Sequence, residues 1–332
     1  MARQPRLDTP GALHHVMGRG IERATLFRTD ADRNDFLDRL SDLCVDGNLM
    51  VYAWSLLSNH FHLLVRTGRQ PISKNMKKLL TGYVVKFNLR HNRCGHLFQN
   101  RYKSIVCEED PYLLELTRYI HLNPLRAGIV GDLEELRHYR WAGHSVIMGR
   151  VERGWQDIGT VLAYFGKGRD AVKKYEQFVQ EGISQGRRPG LVGGGLIRSL
   201  GGWSQVLSLR RRGIKIASDE RILGRVEFIR RILSEAEERE KETLRLSQKK
   251  PDLTTVARRV IEAEGIGESE LRSGMRKREV VRVRRMFCQL AVREMGYAGA
   301  EVARFLGVTT SSVNRLAVSE ETADLKKLHK MF

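Results

Sequence analysis

Two separate stretches carry side chains that could hold a metal ion and deliver a nucleophile to it. SNHFHLLV (58–65) has His60 and His62 one residue apart. On a strand, residues i and i+2 share a face, so both imidazoles would stand side by side with Phe61 opposite. Neutral imidazoles ligate divalent ions, and adjacent ones can bind one ion together. Taken alone, such a pair is more often two partly exposed strand positions. The second stretch, EEDPYLLELTRYIHLNPLRAG (108–128), reads as a helix. Asp110 is its expected N-cap and Pro111 its first helical residue, and Asn123-Pro124 and Gly128 mark its far end. Leu113, Thr117 and Ile120 form one stripe; Tyr112, Tyr119 and Asn123 fall along its edge, apart from His121 and Arg118. Tyr119 and Asn123 are thus neighbours one turn apart, a phenol and an amide oxygen available to the same ion. By itself, a tyrosine at a core edge usually packs with its hydroxyl in water.

The elements that must position these groups are legible from periodicity. ALHHVMGRG (12–20), LMVYAWSLL (49–57), HFHLLVR (60–66) and YKSIVC (102–107) have strand character. His14 and His15 lie in the first of these, so only one can share a given face. Phe36, Leu37, Leu40 and Leu43 recur at helical spacing before Gly47, and Ile72, Met76, Leu79, Tyr83 and Phe87 form a second helical stripe. Strand, helix, strand, strand, helix, strand, helix implies an α+β domain on an antiparallel sheet, flanked by helices, over residues 1–150. Residues 151–248 read as a mostly helical middle region. It contains two short helices in VLAYFGKGRDAVKKYEQFVQEG, a Gly-rich linker in GRRPGLVGGGLIRSLGGW, and a helix over SDERILGRVEFIRRILSEAEEREKETLRL. The linker lacks the G-K-[ST] ending of a phosphate-binding loop. Residues 249–332 read as an all-α region interrupted at Gly265, Gly267 and Gly296.

Bulk properties narrow the partners. The 332 residues include 58 Lys+Arg against 39 Asp+Glu, a formal net charge of +19. That excess favours polyanions, nucleic acid above all, with salt-dependent binding. No apolar run approaches a membrane span, and the N-terminus has no apolar signal region, so a cytoplasmic, nucleoid-associated protein is expected. Cys44, Cys94, Cys107 and Cys288 form no C-x-x-C pair and read as free thiols.

Together, SNHFHLLV, GHLFQNRYKS and LTRYIHLNPLRAGIV resemble the HUH single-tyrosine transposases, in particular the REP-associated tyrosine transposases. PGALHHVMGRGIERATLFRTDADRNDFL resembles the family's opening strand and helix, and LIRSLGGWSQV…SDERILG resembles longer members of the group. The resemblance implies an HUH fold (ferredoxin/RRM-like) in which His60 and His62 are metal ligands, Tyr119 is the catalytic nucleophile and Asn123 is the third ligand. Some branches carry Gln at that last position. It further implies a single-stranded hairpin DNA substrate, Mg²⁺ or Mn²⁺ as cofactor, and a tyrosine that takes the 5′ phosphate and leaves a 3′-OH. Imidazole suits Mn²⁺ better than the harder Mg²⁺. The family includes dimers that share active sites and monomers that do not, which leaves a homodimer open. Lys86, Arg90, Arg101 and Lys103 are candidates for phosphate contacts, with ordinary surface charge the competing reading for each.

GAEVARFLGVTTSSVNRLAV (299–318) reads as helix, turn, helix, similar to the C-terminal module of bacterial replication initiators. Val302, Ala303 and Leu306 would face inward, Gly307 would supply the turn, and Val313 and Leu316 would anchor the second helix. Thr309, Thr310, Ser311, Ser312, Asn314 and Arg315 are then the candidates for contacting duplex DNA. A plain helical hairpin has the same spacing.

Three functions remain in view at this point. The first is a metal-dependent single-strand DNA nickase and strand transferase that forms a phosphotyrosine, with an added duplex-binding module. The second is a non-catalytic DNA-binding regulator derived from such an enzyme. The third, a metal hydrolase acting on small substrates, accounts for neither the charge nor the helix-turn-helix pattern.

Overall fold

The computed structural model describes residues 7–186, 188, 191, 219, 221–248, 251–275 and 277–319. Most of the Gly-rich stretch expected as a linker, and all of LIRSLGGWSQV, lie outside them. The chain divides into two compact units, Met1–Glu238 and Arg239–Phe332.

The first unit is built on β1 (Leu13–Arg19), α1 (Asp30–Val45), β2 (Leu49–Leu56), β3 (His60–Thr67), α2 (Ile72–Arg90), β4 (Lys103–Cys107) and α3 (Glu109–His121). Short helices follow: α4 (Asn123–Arg126), α5 (Leu133–His138), α6 (Gly143–Ile147), α7 (Ile158–Ala163) and α8 (Gly168–Glu181). The unit closes with β5 (Ile222–Leu223) and the start of α9 (Val226–Gln248). The strand order is β2-β3-β1-β4-β5; β1 pairs antiparallel with both β3 and β4, and β5 lies parallel to β4.

Alternation along β3 divides the core in two. Phe61, Leu63 and Val65 turn to the face covered by α1 and α2, whose stripes Phe36, Leu37, Leu40, Leu43 and Ile72, Met76, Leu79, Tyr83, Phe87 are all buried. Leu64 turns to the other face, packed with Leu113, Leu116 and Ile120 of α3. Each such apolar side chain contributes roughly 1.5–3 kcal/mol by leaving water. That alternation fixes the strand register, because a slip of one residue would drive the apolar set to the wrong face. The expected α+β architecture is therefore observed.

Two local expectations are corrected. The helix bearing Tyr119 begins at Glu109 with Glu108, not Asp110, at the N-cap position. Glu108 is held extended because its N–H donates to Leu223 O at 2.7 Å and its carboxylate accepts from Arg225 N at 2.8 Å. Pro111 is tolerated within the first turn, where backbone N–H groups have no intrahelical partner. Ile222 and Leu223, expected within a helix, instead form β5, since they find a sheet edge at Val106 and Cys107 and are buried there.

The second unit is helical: α10 (Leu253–Glu264), α11 (Glu268–Leu271), α12 (Arg278–Cys288) running into a π-helical turn (Gln289–Glu294), α13 (Gly299–Leu306) and α14 (Thr310–Val318). Val256, Val260, Leu271, Val283, Met286, Phe287, Val302, Leu306 and Val313 form its core. The Arg284 guanidinium is buried and donates to four backbone carbonyls, those of Leu271, Met275, Glu270 and Ser273, which fastens the α11–α12 connection.

Candidate active site

β3 supplies His60, half-buried, and His62, 6% exposed. Their rings lie 5.3 Å apart, centroid to centroid, on the face away from Phe61. The intervening Phe61 has its own role in positioning them. It lies across β1 at Gly18, where an added Cβ would come within 2.4 Å of the phenyl ring, so only glycine lets the two strands meet this way.

Register carries a third histidine to the same face. Met17 of β1 is opposite His62, and His15, two residues earlier, shares Met17's side. His15 Nε2 lies 3.0 Å from His62 Nδ1. His14 points the other way, with its Nδ1 3.0 Å from Ser104 Oγ. Periodicity assigns His15 no role, because which of the two histidines faces the site depends on an antiparallel pairing with β3.

α3 packs over this face and presents Tyr119, half-buried, with its ring edge-on to both His62 (6.0 Å) and His15 (6.1 Å). The helix pauses at Leu122 and resumes as α4, whose first residue is Asn123, 8% exposed, with Nδ2 lacking a hydrogen-bond partner. Arg126 on α4 folds back on the tyrosine. Its guanidinium carbon sits 5.2 Å from the ring centroid and its Nη1 donates to Tyr119 O at 3.1 Å. Arg126 is seven residues after Tyr119, about two turns on and on the same helical face, a spacing that could have flagged it. His121 turns away, buried, its Nδ1 2.7 Å from the Tyr175 hydroxyl that also meets His144 Nδ1 at 3.0 Å.

The site's chemistry suits an imidazole-bound cation. Burial, then the charge of Arg19, pushes His60 down to about 4. Burial, then His15, His60 and Arg19, holds His62 well below the ordinary histidine value. Both rings are therefore neutral near pH 7, the form that ligates. Each uses Nδ1 internally, His60 with Asn59 Oδ1 at 2.7 Å and His62 with His15 Nε2 at 3.0 Å. Among those residues no group of three or more His, Cys, Asp or Glu side chains is arranged to hold a metal. The histidine face thus offers two neighbouring neutral imidazoles and, among the described residues, no acidic cage.

The family scan matches residues 10–123 to the family model described as Transposase IS200 like. That segment is similar to the IS200-like transposases. All the residues of the site except Arg126 fall within it. The matched segment is about a third of the chain. Four solved chains resemble the protein. One is a REP-associated tyrosine transposase bound to a REP hairpin, 16% identical, covering 48% of this chain and 90% of that one, with a TM-score of 0.39. No curated protein matches the sequence.

Within the matched segment, Lys86, Arg101 and Lys103 are exposed. Arg90 is half-buried, and its Nη1 lies 2.5 Å from the buried Asp32 carboxylate, which His91 also contacts. Arg101 and Lys77 border a cleft of about 710 Å³ between α2 and residues 95–102, with Leu80, Val84 and Phe98 in its wall.

In the second unit, α13 and α14 are joined through Gly307, which takes the left-handed conformation at φ +67°. Val302, Ala303, Leu306 and Val313 are buried as expected, but Ala317 rather than Leu316 completes the inner face, and Leu316 is half-buried. Thr309 caps α14, its Oγ1 accepting from Ser312 N at 3.2 Å. Thr309, Thr310, Ser311, Asn314 and Arg315 are exposed and Ser312 is half-buried. Among the described residues no helix is long and apolar enough to cross a membrane.

Proposed function

We propose that the protein is a metal-dependent single-stranded DNA nickase and strand transferase in which Tyr119 is the nucleophile and His60, His62 and Asn123 hold the ion. The observation that carries this reading is the Tyr119 ring lying 6.0 Å from His62, whose own ring is 5.3 Å from His60. The phenol oxygen attacks the scissile phosphorus and the bond to the 3′ oxygen breaks. The protein is left joined to the 5′ phosphate, the departing strand ends in 3′-OH, and the phenol proton passes to the leaving oxygen or solvent. The phosphodiester bond is exchanged rather than hydrolysed, so the reverse attack can rejoin strands. A bound Mg²⁺ or Mn²⁺ would polarise the phosphate and neutralise its developing charge. Arg126, beside Tyr119, adds fixed positive charge where negative charge accumulates.

The substrate in this reading is hairpin-forming single-stranded DNA, with Lys86, Arg101 and Lys103 engaging phosphates and α14 engaging duplex DNA. The net charge of +19 supports a polyanionic partner. The deciding experiment incubates the full chain with labelled hairpin DNA and Mn²⁺ and looks for an SDS-stable protein–DNA adduct. The wild type forms it, and Tyr119→Phe forms none while still binding DNA. An adduct from Tyr119→Phe would remove Tyr119 as nucleophile; binding without an adduct on any hairpin would favour the regulator.

A further inference from the structure

We propose that His15 is a positioning residue that fixes the proton on His62 so that His62 Nε2 is left as a bare, metal-competent nitrogen. This rests on the reading of His62 as a ligand.

The order of donors and acceptors starts from a group that cannot donate. The Leu191 carbonyl lies 3.2 Å from His15 Nδ1. A carbonyl only accepts, so His15 Nδ1 carries the hydrogen. In a neutral imidazole the other nitrogen then holds the lone pair, so His15 Nε2 is an acceptor. It faces His62 Nδ1 at 3.0 Å, so His62 Nδ1 must supply the hydrogen. The lone pair of His62 is thereby confined to Nε2. Reversing any step would set two N–H groups or two lone pairs against each other inside a buried site, where His15 is 0% and His62 6% exposed.

His60 is prepared by an independent chain that reaches the same state. Asn59 Nδ2 donates to Arg23 O at 3.2 Å, which orients the amide. Asn59 Oδ1 then meets His60 Nδ1 at 2.7 Å, so that nitrogen is the N–H and Nε2 is bare. Two chains ending on different carbonyls give neighbouring rings the same tautomer. An ion bound at both Nε2 atoms needs a lone pair on each, and a ring with its proton on Nε2 carries its lone pair on Nδ1 instead. Outer partners of this kind fix ligand tautomer and orientation, and their loss costs about 10- to 100-fold in metal affinity.

The test reads the tautomer directly. In the metal-free full chain, long-range ¹⁵N–¹H correlation spectra of the His62 ring distinguish the Nδ1–H from the Nε2–H form, and Mn²⁺ affinity is measured by calorimetry on the same samples. Wild type should show His62 as Nδ1–H. His15→Phe keeps a flat ring but no acceptor; it should shift His62 toward Nε2–H and weaken Mn²⁺ binding about 10- to 100-fold. His15→Gln, whose amide oxygen can accept near the lost Nε2, should restore both. A wild-type His62 in the Nε2–H form overturns the proposal without any variant, as does His15→Phe with unchanged tautomer and affinity. Wild type in the Nδ1–H form that fails to bind Mn²⁺ would sink the metal-site reading while upholding the His15–His62 proton order.

Discussion

Arg126 rests its guanidinium 5.2 Å over the Tyr119 ring while its Nη1 bonds the Tyr119 carbonyl at 3.1 Å, so one side chain both caps α3 and charges its nucleophile candidate. The capping part is explained by the helix end, where carbonyls lack intrahelical donors and favour a cation. Burial, then repulsion from Arg118 and Arg188, lowers the pKa of Arg126, and the neighbouring Tyr119 works against that trend. The cation stays in place because guanidinium is protonated at any physiological pH.

Removing that charge should slow adduct formation more than it harms the fold. Arg126→Leu is expected to reduce the single-turnover rate at saturating hairpin DNA by about tenfold, equivalent to roughly 1.4 kcal/mol of transition-state stabilisation. Arg126→Lys should retain part of the rate. Rapid quenching followed by denaturing gels measures both. An unchanged rate in Arg126→Leu would leave Arg126 with the capping role alone.

Gly18→Ala tests the packing that sets the two histidines. The new methyl would overlap the Phe61 ring, which is fully buried and has no room to withdraw. Overpacking of this kind costs about 1–3 kcal/mol. Urea unfolding should show a lower midpoint, and Gly18→Ala combined with Phe61→Leu should recover part of the loss. If the double variant is no more stable than Gly18→Ala, the contact is not the reason for the glycine.

Acid should destabilise the first unit in a defined window. Burial pushes His14 and His144 down to about 4, and both side chains are fully buried. In the unfolded chain they titrate near about 6.5. As pH falls from 6.5 toward 4, the unfolded chain takes up protons that the fold excludes, so stability is lost. Each group contributes at most about 3 kcal/mol to that loss. Above pH 7 these two groups should leave stability flat. Urea midpoints between pH 7.5 and 4.5 give the slope, which His144→Gln should reduce. A slope unaltered by that change would mean His144 is not excluded from protonation.

The C-terminal unit should bind duplex DNA independently of the nicking chemistry. Arg315→Ala is expected to weaken duplex binding, and if Arg315 meets a phosphate the loss is uniform across sequences with a salt slope smaller by about one. Asn314→Ala should cost about 1–3 kcal/mol on a preferred sequence if the amide reads a base. Neither should alter the hairpin adduct rate. Fluorescence anisotropy over a salt series makes the comparison; no duplex binding by the wild type would reduce α13–α14 to a helical hairpin.

Most elements of the sheet domain and both halves of the candidate site were legible in local pattern. Alternation in HFHLLVR set His60 and His62 on one face against Phe61, and the stripes of α1 and α2 were written in their apolar spacing, because these are properties of a single strand or helix. The four-residue step from Tyr119 to Asn123 was equally local. Only the tertiary structure decided what neighbours those residues have. His15 joined the site because an antiparallel register set Met17 against His62. Arg90 turned inward because α1 brought the Asp32 carboxylate to it. Ile222 and Leu223 became an edge strand because β4 offered backbone groups to pair with. In each case the deciding partner is remote in the chain, and periodicity reports which face a side chain takes but not what stands opposite it.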